Sequence, residues 1–239
     1  ARGNLTLVAT PTLVRGARAS RSTITLKILM AGSGALFILY VLLHMYGNLK
    51  AFAGHDAFNE YAEHLRTFGE PMLPHSGLLW VIRAVLIVSL VLHVYSFVAL
   101  TGRAHKARTH KYVVKKNLAS SFSSRTMRWG GLALLIFVVW HLLHFTIGKV
   151  NPEGGPTNDP YNLLVDSFAL WWMTLIYLAA LVALALHLHH GTWSAMQTLG
   201  LTNHARSRAR AKALGWIVAV VIAGGFALVP LSVLVGLVD

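Results

Sequence analysis

The sequence contains no cysteine. A disulfide and a thiolate metal ligand are therefore excluded from this chain. Charge is also scarce: Asp, Glu, Lys and Arg make up 12% of the 239 residues, about half the roughly 25% of a soluble domain. Acidic side chains are the rarer kind, 8 against 21 basic. Apolar residues fill the space, at 55% of the chain. Five runs concentrate them, at about 26–47, 78–101, 129–148, 168–190 and 213–236. Each is near or above the roughly 20 residues a helix needs to cross about 30 Å of hydrocarbon. The sequence thus predicts an all-α integral membrane protein of five spans. A basic arm occupies 1–25, one transmembrane domain occupies 26–239, and no room is left for a separate soluble domain. The first run is too long for a signal-peptide core and lacks a small-residue cleavage site, so it is expected to remain as a span.

The net charge of +13 invites a nucleic-acid reading, but its distribution argues for a membrane. Arg2, Arg15, Arg18, Arg21 and Lys27 precede or open the first run. Arg103, Lys106, Arg108, Lys111, Lys115, Lys116, Arg125 and Arg128 lie between the second and third, and Arg206, Arg208, Arg210 and Lys212 between the fourth and fifth. Five spans place these three segments on one side. The acidic residues Asp56, Glu60, Glu63, Glu70, Glu153, Asp159, Asp166 and Asp239 fall on the other side or at its boundary. The positive-inside rule then puts the N-terminus in the cytoplasm and the C-terminus outside. The basic loops are expected to meet anionic lipid or an acidic partner, not nucleic acid.

Between the first two runs, Phe58, Tyr61, Leu65 and Phe68 recur at helical spacing among Asp56, Glu60, Glu63 and Arg66. This predicts a helix lying along the outer surface, ended by Gly69 and Pro71. Residues 151–160, NPEGGPTNDP, read as an outer turn. Trp80, Trp129, Trp171, Trp172, Trp193 and Trp216 stand near run ends, as in an aromatic belt. No internal repeat stands out.

Histidine carries the chemistry. Four of the five runs contain it: His44, His93, His141 with His144, and His187 with His189 and His190. An unpartnered polar group in a bilayer costs several kcal/mol, so intramembrane histidines mark candidate functional sites. Depth divides them. His44 lies about 3 residues and His141 about 7 from the outer ends of their runs, roughly 5 and 11 Å at 1.5 Å per residue. His93 and His187 lie about 8 and 3 residues from the inner ends, by the same helical measure. Two histidines in each half of the membrane suit two flat cofactors clamped inside a bundle of the first four helices. Axial imidazole ligation of haem iron is the natural use of such pairs.

Other chemistries compete for the same residues. HLLH at 141–144 and HLHH at 187–190 look like fragments of membrane di-iron histidine boxes, although their clusters tend toward opposite faces of the bilayer. A Rieske-type [2Fe–2S] centre takes two His and two Cys, and here both thiolates would come from a partner subunit. A histidine-lined channel or transporter needs no iron, but the inverted repeat and broken helices common in transporters are missing. Gly32, Ser33 and Gly34 give the first span a small face for a ring or a helix. Arg83, buried within the second span, wants an anion: an outer carboxylate, or a haem propionate.

The stretches HMYGNLKAF (44–52), FNEYAEHLRTFGEP (58–71), LLWVIRAVLIV (78–88), SRTMRWGG (124–131), VVWHLLHFTIG (138–148) and LHLHHGTWSAMQTLG (186–200) resemble one family. It is the single-chain, five-helix cytochrome b anchor of bacterial succinate:quinone oxidoreductases and fumarate reductases, respiratory complex II. The resemblance covers nearly the whole chain after about residue 25. It implies two b haems, the outer one held by His44 and His141 and the inner one by His93 and His187, with His189 and His190 interfacial. His144 departs from the family pattern and stands as a second candidate for the outer ligand, or for a quinone or proton site.

The resemblance also implies partners: a flavoprotein with FAD that oxidises succinate, an iron–sulfur subunit on the basic face, lipid, and menaquinone or another quinone. A homotrimer of the complex is possible within that family. The chain itself would supply no succinate site. Quinone-site candidates are Glu60 on the outer side and Ser33, Arg125, Arg128 and Trp129 on the inner side, and Glu60, Glu63 and His64 are candidates for an outer proton path. The expected location is the bacterial cytoplasmic membrane.

Overall fold

The computed structural model describes residues 22–107, 122–147 and 159–239. The arm over 1–21, the basic linker over 108–121 and the turn over 148–158 lie outside the described residues. Among the described residues the fold is entirely helical. Its helices are α1 (Thr23–Leu49), α2 (His55–Thr67), α3 (Gly77–Lys106), α4 (Phe122–His141), α5 (Pro160–Ala169), α6 (Trp171–Thr198) and α7 (Ala205–Leu234). A 3-10 turn, Lys50–Ala53, follows α1, and a single π-helical turn, Leu142–Thr146, continues α4. Five helices are long and apolar enough to cross a membrane. The protein is a multi-pass membrane protein.

Local signals set the ends. The Ser22 hydroxyl accepts from the amides of Ile24 and Thr25 at 3.2 and 3.5 Å, capping the first donors of α1. The helices extend past the apolar runs into the polar linkers: α3 continues to Lys106 and α4 starts at Phe122. Hydropathy marks the lipid-crossing part of a helix, and neither proline nor glycine stops these helices at that boundary. The opposite correction applies to the fourth run. Its outer end is the separate helix α5, capped by the Asp159 carboxylate on the Asn162 amide at 3.0 Å, with Pro160 in its first turn. Leu170, in extended conformation (ψ 114°), breaks it from α6.

α1 and α6 form the centre. α3 packs on α1, α4 on α6, and α7 lies against both central helices. The fifth span is thus part of the bundle, in addition to the four expected. Small residues allow it. A Cβ on Gly215 would stand 2.6 Å from the His189 carbonyl, and one on Gly225 would overlap the Met45 sulfur. Such close backbone approach is how helices gain contact in lipid, where the surroundings are as apolar as the side chains. Arg103 donates to the Thr23 hydroxyl at 2.9 Å and Ser33 meets His93 at 3.0 Å. Both pairs sum to 126, so α1 and α3 run antiparallel in a fixed register.

One end of the bundle is covered by the 3-10 turn, α2 and α5. There Asn59 and His55 hold Asp159, and the Tyr161 hydroxyl donates to the Asp239 carbonyl at 2.9 Å. A core of Tyr161, Leu164, Phe168, Met173, Tyr177 and Val229 sits beneath this cap. The other end carries the basic termini of α3, α4 and α7.

Candidate functional site

Four helices bring four imidazoles into two facing pairs. His44 on α1 and His141 on α4 have ring centres 5.8 Å apart, and His93 on α3 and His187 on α6 have theirs 6.1 Å apart. Two imidazoles binding one metal from opposite sides, each at about 2 Å, place their ring centres roughly 6 Å apart. Both separations match that requirement. Ser33, level with His93, precedes His44 by 11 residues, so the two tiers lie roughly 16 Å apart along the bundle at 1.5 Å per residue. The His44 tier is toward the capped end and the His93 tier toward the basic end.

Hydrogen bonds fix the protonation of the inner tier. The Ser33 hydroxyl donates to the Leu29 carbonyl at 2.7 Å. Its one proton is then used, so the contact to His93 Nδ1 at 3.0 Å is donated by the imidazole. Nε2 of a neutral His93 is left as a lone-pair donor for a metal, as second-shell partners of metal-binding histidines arrange. His187 Nδ1 is buried without a hydrogen-bond partner. Such an orphaned acceptor or donor is costly unless another group meets it. A Cβ on Gly34 would lie 3.5 Å from His93 Cε1, and one on Gly131 3.5 Å from His187 Cε1. The two glycines keep the space beside the rings clear.

In the outer tier, His44 stacks on Tyr40 at 5.5 Å and 8°, while His141 stacks on Phe137 at 5.8 Å and 30°. His141 Nδ1 lies 3.3 Å from the Tyr177 hydroxyl. His144 is fully buried, and both its nitrogens are engaged, Nδ1 by Tyr177 at 3.0 Å and Nε2 by Ser167 at 2.8 Å. It therefore has no lone pair to offer a metal, whereas His141 Nε2 does.

A repeat emerges that spacing alone did not reveal. Gly34, Tyr40 and His44 on α1 match Gly131, Phe137 and His141 on α4 in offset. Each glycine stands beside the inner histidine of the next long helix, and each aromatic ring stacks on the outer histidine. The sequence signal is G-x5-[YF]-x3-H, read twice.

The other sequence candidates fall as follows. Among the described residues no three His, Asp or Glu side chains gather as a metal-binding group. His189 is buried: it meets Ser123 at 3.0 Å and stacks on Trp216 at 4.2 Å. The apolar partner comes from α7, far away in sequence. His190 stands edge-on to Trp193, with Nδ1 buried and unpartnered.

Arg83 lies over the Trp80 ring at 4.9 Å. By the α1/α3 register it is level with residue 43, the depth of the outer tier. Among the described residues no carboxylate pairs with it. Ser33 is occupied by His93. Arg125, Arg128 and Trp129 point away from the inner groove, a cavity of about 200 Å³ between α4 and α6. Ser123, Thr126, Met127 and Gly130 line it from α4, with His187 opposite. Helical phase separates the two sets, since neighbours in sequence face different ways. Glu60 and His64 are exposed on α2, and Glu63 pairs with Arg66 at 2.9 Å.

The capped end has its own electrostatics outside the spans. Hydrogen bonds that His55 donates to the Asp56 and Asp159 carboxylates raise this exposed imidazole above its ordinary 6.5. Burial opposes ionisation of Asp159, but the Asn162 amide, Asn59 and His55 outweigh it and lower its carboxyl from 3.8 to about 2.

In the comparison with known families, the model of the succinate dehydrogenase/fumarate reductase transmembrane subunit matches residues 101–227. Comparison with curated proteins and with solved structures returned no match.

Proposed function

The chain belongs to the succinate dehydrogenase/fumarate reductase transmembrane subunit family, and on that premise we propose that it carries electrons between the iron–sulfur subunit of complex II and a membrane quinone. The family makes it a membrane anchor subunit of an oxidoreductase complex. The observation that supports the electron-carrying role most is the pair of facing imidazoles at each of two levels.

His44 with His141, and His93 with His187, would each hold a b-type haem. A haem so held supplies reversible one-electron transfer. This chain's residues do the rest. Ser33 fixes the His93 tautomer, Tyr177 fixes that of His141, and Gly34 and Gly131 leave room beside the rings. Arg83, unpaired at the outer level, would meet a propionate, a charge-assisted contact of the kind arginine makes with carboxylates.

The basic end would face the cytoplasm and meet the iron–sulfur subunit, with the flavoprotein and its FAD beyond. The N-terminus would then be inside and the C-terminus outside a bacterial cytoplasmic membrane. The arm over 1–25 would serve docking, and the domain over 26–239 would hold the cofactors. Succinate chemistry would stay in the flavoprotein. A menaquinone or other quinone would be reduced at the membrane, and the complex would assemble as a homotrimer, as the resemblance suggests.

The test uses the purified complex of all subunits. Succinate should reduce flavin, clusters and a b-type absorbance in the wild type. In His93→Ala, flavin and cluster reduction should persist while quinone reduction falls at least tenfold. Quinone reduction at the wild-type rate in that variant would contradict the proposal. A [2Fe–2S] signal dependent on His93, without b-type absorbance, would replace the haems with the Rieske-type centre.

A further inference from the structure

The proposed outer ligand does not end at its own ring. From His141, a chain of hydrogen bonds runs to the Tyr177 hydroxyl at 3.3 Å, from there to His144 Nδ1 at 3.0 Å, and from His144 Nε2 to Ser167 at 2.8 Å. Ser167 in turn bonds the Leu163 carbonyl. Four groups from α4, α6 and α5 are thus joined in one buried row.

The far end sets the direction. The Leu163 carbonyl has no proton to give, so the Ser167 hydroxyl must donate to it. Ser167 Oγ then accepts from His144 Nε2–H. In a neutral imidazole the other nitrogen is an acceptor, so His144 Nδ1 takes the phenol proton of Tyr177. The phenol oxygen, its own proton spent, accepts from His141 Nδ1–H. Each step leaves one choice. The row ends with His141 Nε2 unprotonated and turned to its task.

The local backbone makes the row possible. The π-helical turn over Leu142–Thr146 widens the helix just after His141. Such single turns recur at functional sites. It lets His141 and His144, three residues apart, share one hydroxyl on a neighbouring helix. Burying a second imidazole beside a candidate ligand costs free energy unless every polar atom is met. Here both nitrogens of His144 are met.

We propose that Tyr177 and His144 are positioning residues for the outer metal, holding His141 in its Nε2-ligating tautomer and lowering that metal's reduction potential. The idea rests on the haem reading above. A hydrogen bond accepted from a ligand's far N–H makes the ligand more basic, which favours the oxidised metal. Donation of the phenol proton to His144 makes Tyr177 a better acceptor, as coupled chains strengthen one another. Ser167 anchors the end of the row.

The experiment is a potentiometric titration of the b-type absorbance in the purified complex. Wild type, Tyr177→Phe, His144→Leu and His144→Asn are compared, the last keeping an acceptor near the Nδ1 position. In Tyr177→Phe one of the two transitions should move to higher potential by up to about tenfold in its one-electron equilibrium, about 59 mV. The other transition should stay. His144→Leu should move the same transition less, and His144→Asn should restore it in part.

If both transitions stay in Tyr177→Phe, the positioning role is overturned while the haem reading stands. If His144→Leu loses a haem that His141→Ala keeps, His144 is the ligand and the proposal fails. If the wild type has no b-type absorbance, the reading beneath the proposal fails instead.

Discussion

Ser33 on α1 and His93 on α3 meet at 3.0 Å with only one assignment of protons open to them. The serine spends its hydrogen on the carbonyls of its own helix, at Leu29 and Met30. The imidazole must donate, and its Nε2 faces the bundle as a base. One small side chain thus joins helix packing to metal chemistry.

Ser33→Ala should orphan that N–H. Losing an outer-shell partner of a metal-binding histidine costs about 10–100-fold in affinity. The expected result is loss of the inner haem during purification and retention of the outer one. Haem content per copy of the complex, measured by the pyridine haemochrome, checks it. Full content under the same washing would show that Ser33 is dispensable.

Bulk beside the rings should discriminate between tiers. A Cβ at Gly131 already sits 3.5 Å from His187 Cε1, so the further atoms of Gly131→Leu must displace the ring or whatever it binds. Gly34→Leu should do the same at His93. Both should diminish the inner haem only. Equal loss of both haems would point to general misfolding.

The α6–α7 contact predicts a stability difference between two glycines of one helix. Gly215→Ala puts a methyl 2.6 Å from the His189 carbonyl, while Gly224→Ala meets nothing within 4 Å. Overpacking typically costs about 1–3 kcal/mol. Thermal unfolding in detergent should fall for the first variant and hold for the second.

The cap joining α2 to α5 should respond to pH in a stated direction. Asp159 has its folded value lowered to about 2, so its contribution is present above 3.8 and lost as pH falls through about 2. His55 is raised above 6.5, so its contribution is complete below 6.5 and lost as pH rises through the folded value. The cap is tightest between about pH 4 and 6.5. Hydrogen exchange at Tyr161 and Asn162, corrected for intrinsic rates, should be slowest in that window. Asp159→Asn should flatten the profile.

The five spans and the division of histidines into two depths were legible because lipid makes every buried imidazole conspicuous. The pairing of His44 with His141 followed from resemblance, and the two rings lie 5.8 Å apart. Other features depend on contacts that the sequence does not display. α5 is apolar enough that hydropathy merges its end with the fourth run, and only the break at Leu170 separates it. Arg125, Arg128 and Trp129 are adjacent in sequence to Thr126 and Gly130, and only the phase of α4 shows that the latter two line the groove. The stacking of His189 on Trp216 depends on α7, distant in sequence. Tyr177 and Ser167 drew no notice, since a hydroxyl in an apolar run acquires meaning only from the histidine opposite. The repeated G-x5-[YF]-x3-H was readable and was hidden by the differing residues around it.

The central claim is that two imidazole pairs each hold one haem. The most direct measurement is haem content per complex in the wild type and in four single variants, His44→Ala, His141→Ala, His93→Ala and His187→Ala. The account predicts two haems in the wild type and one in every variant, with the same haem missing from His44→Ala and His141→Ala and the other from His93→Ala and His187→Ala. Loss patterns that cross the two pairs, or a wild-type complex without haem, would contradict it.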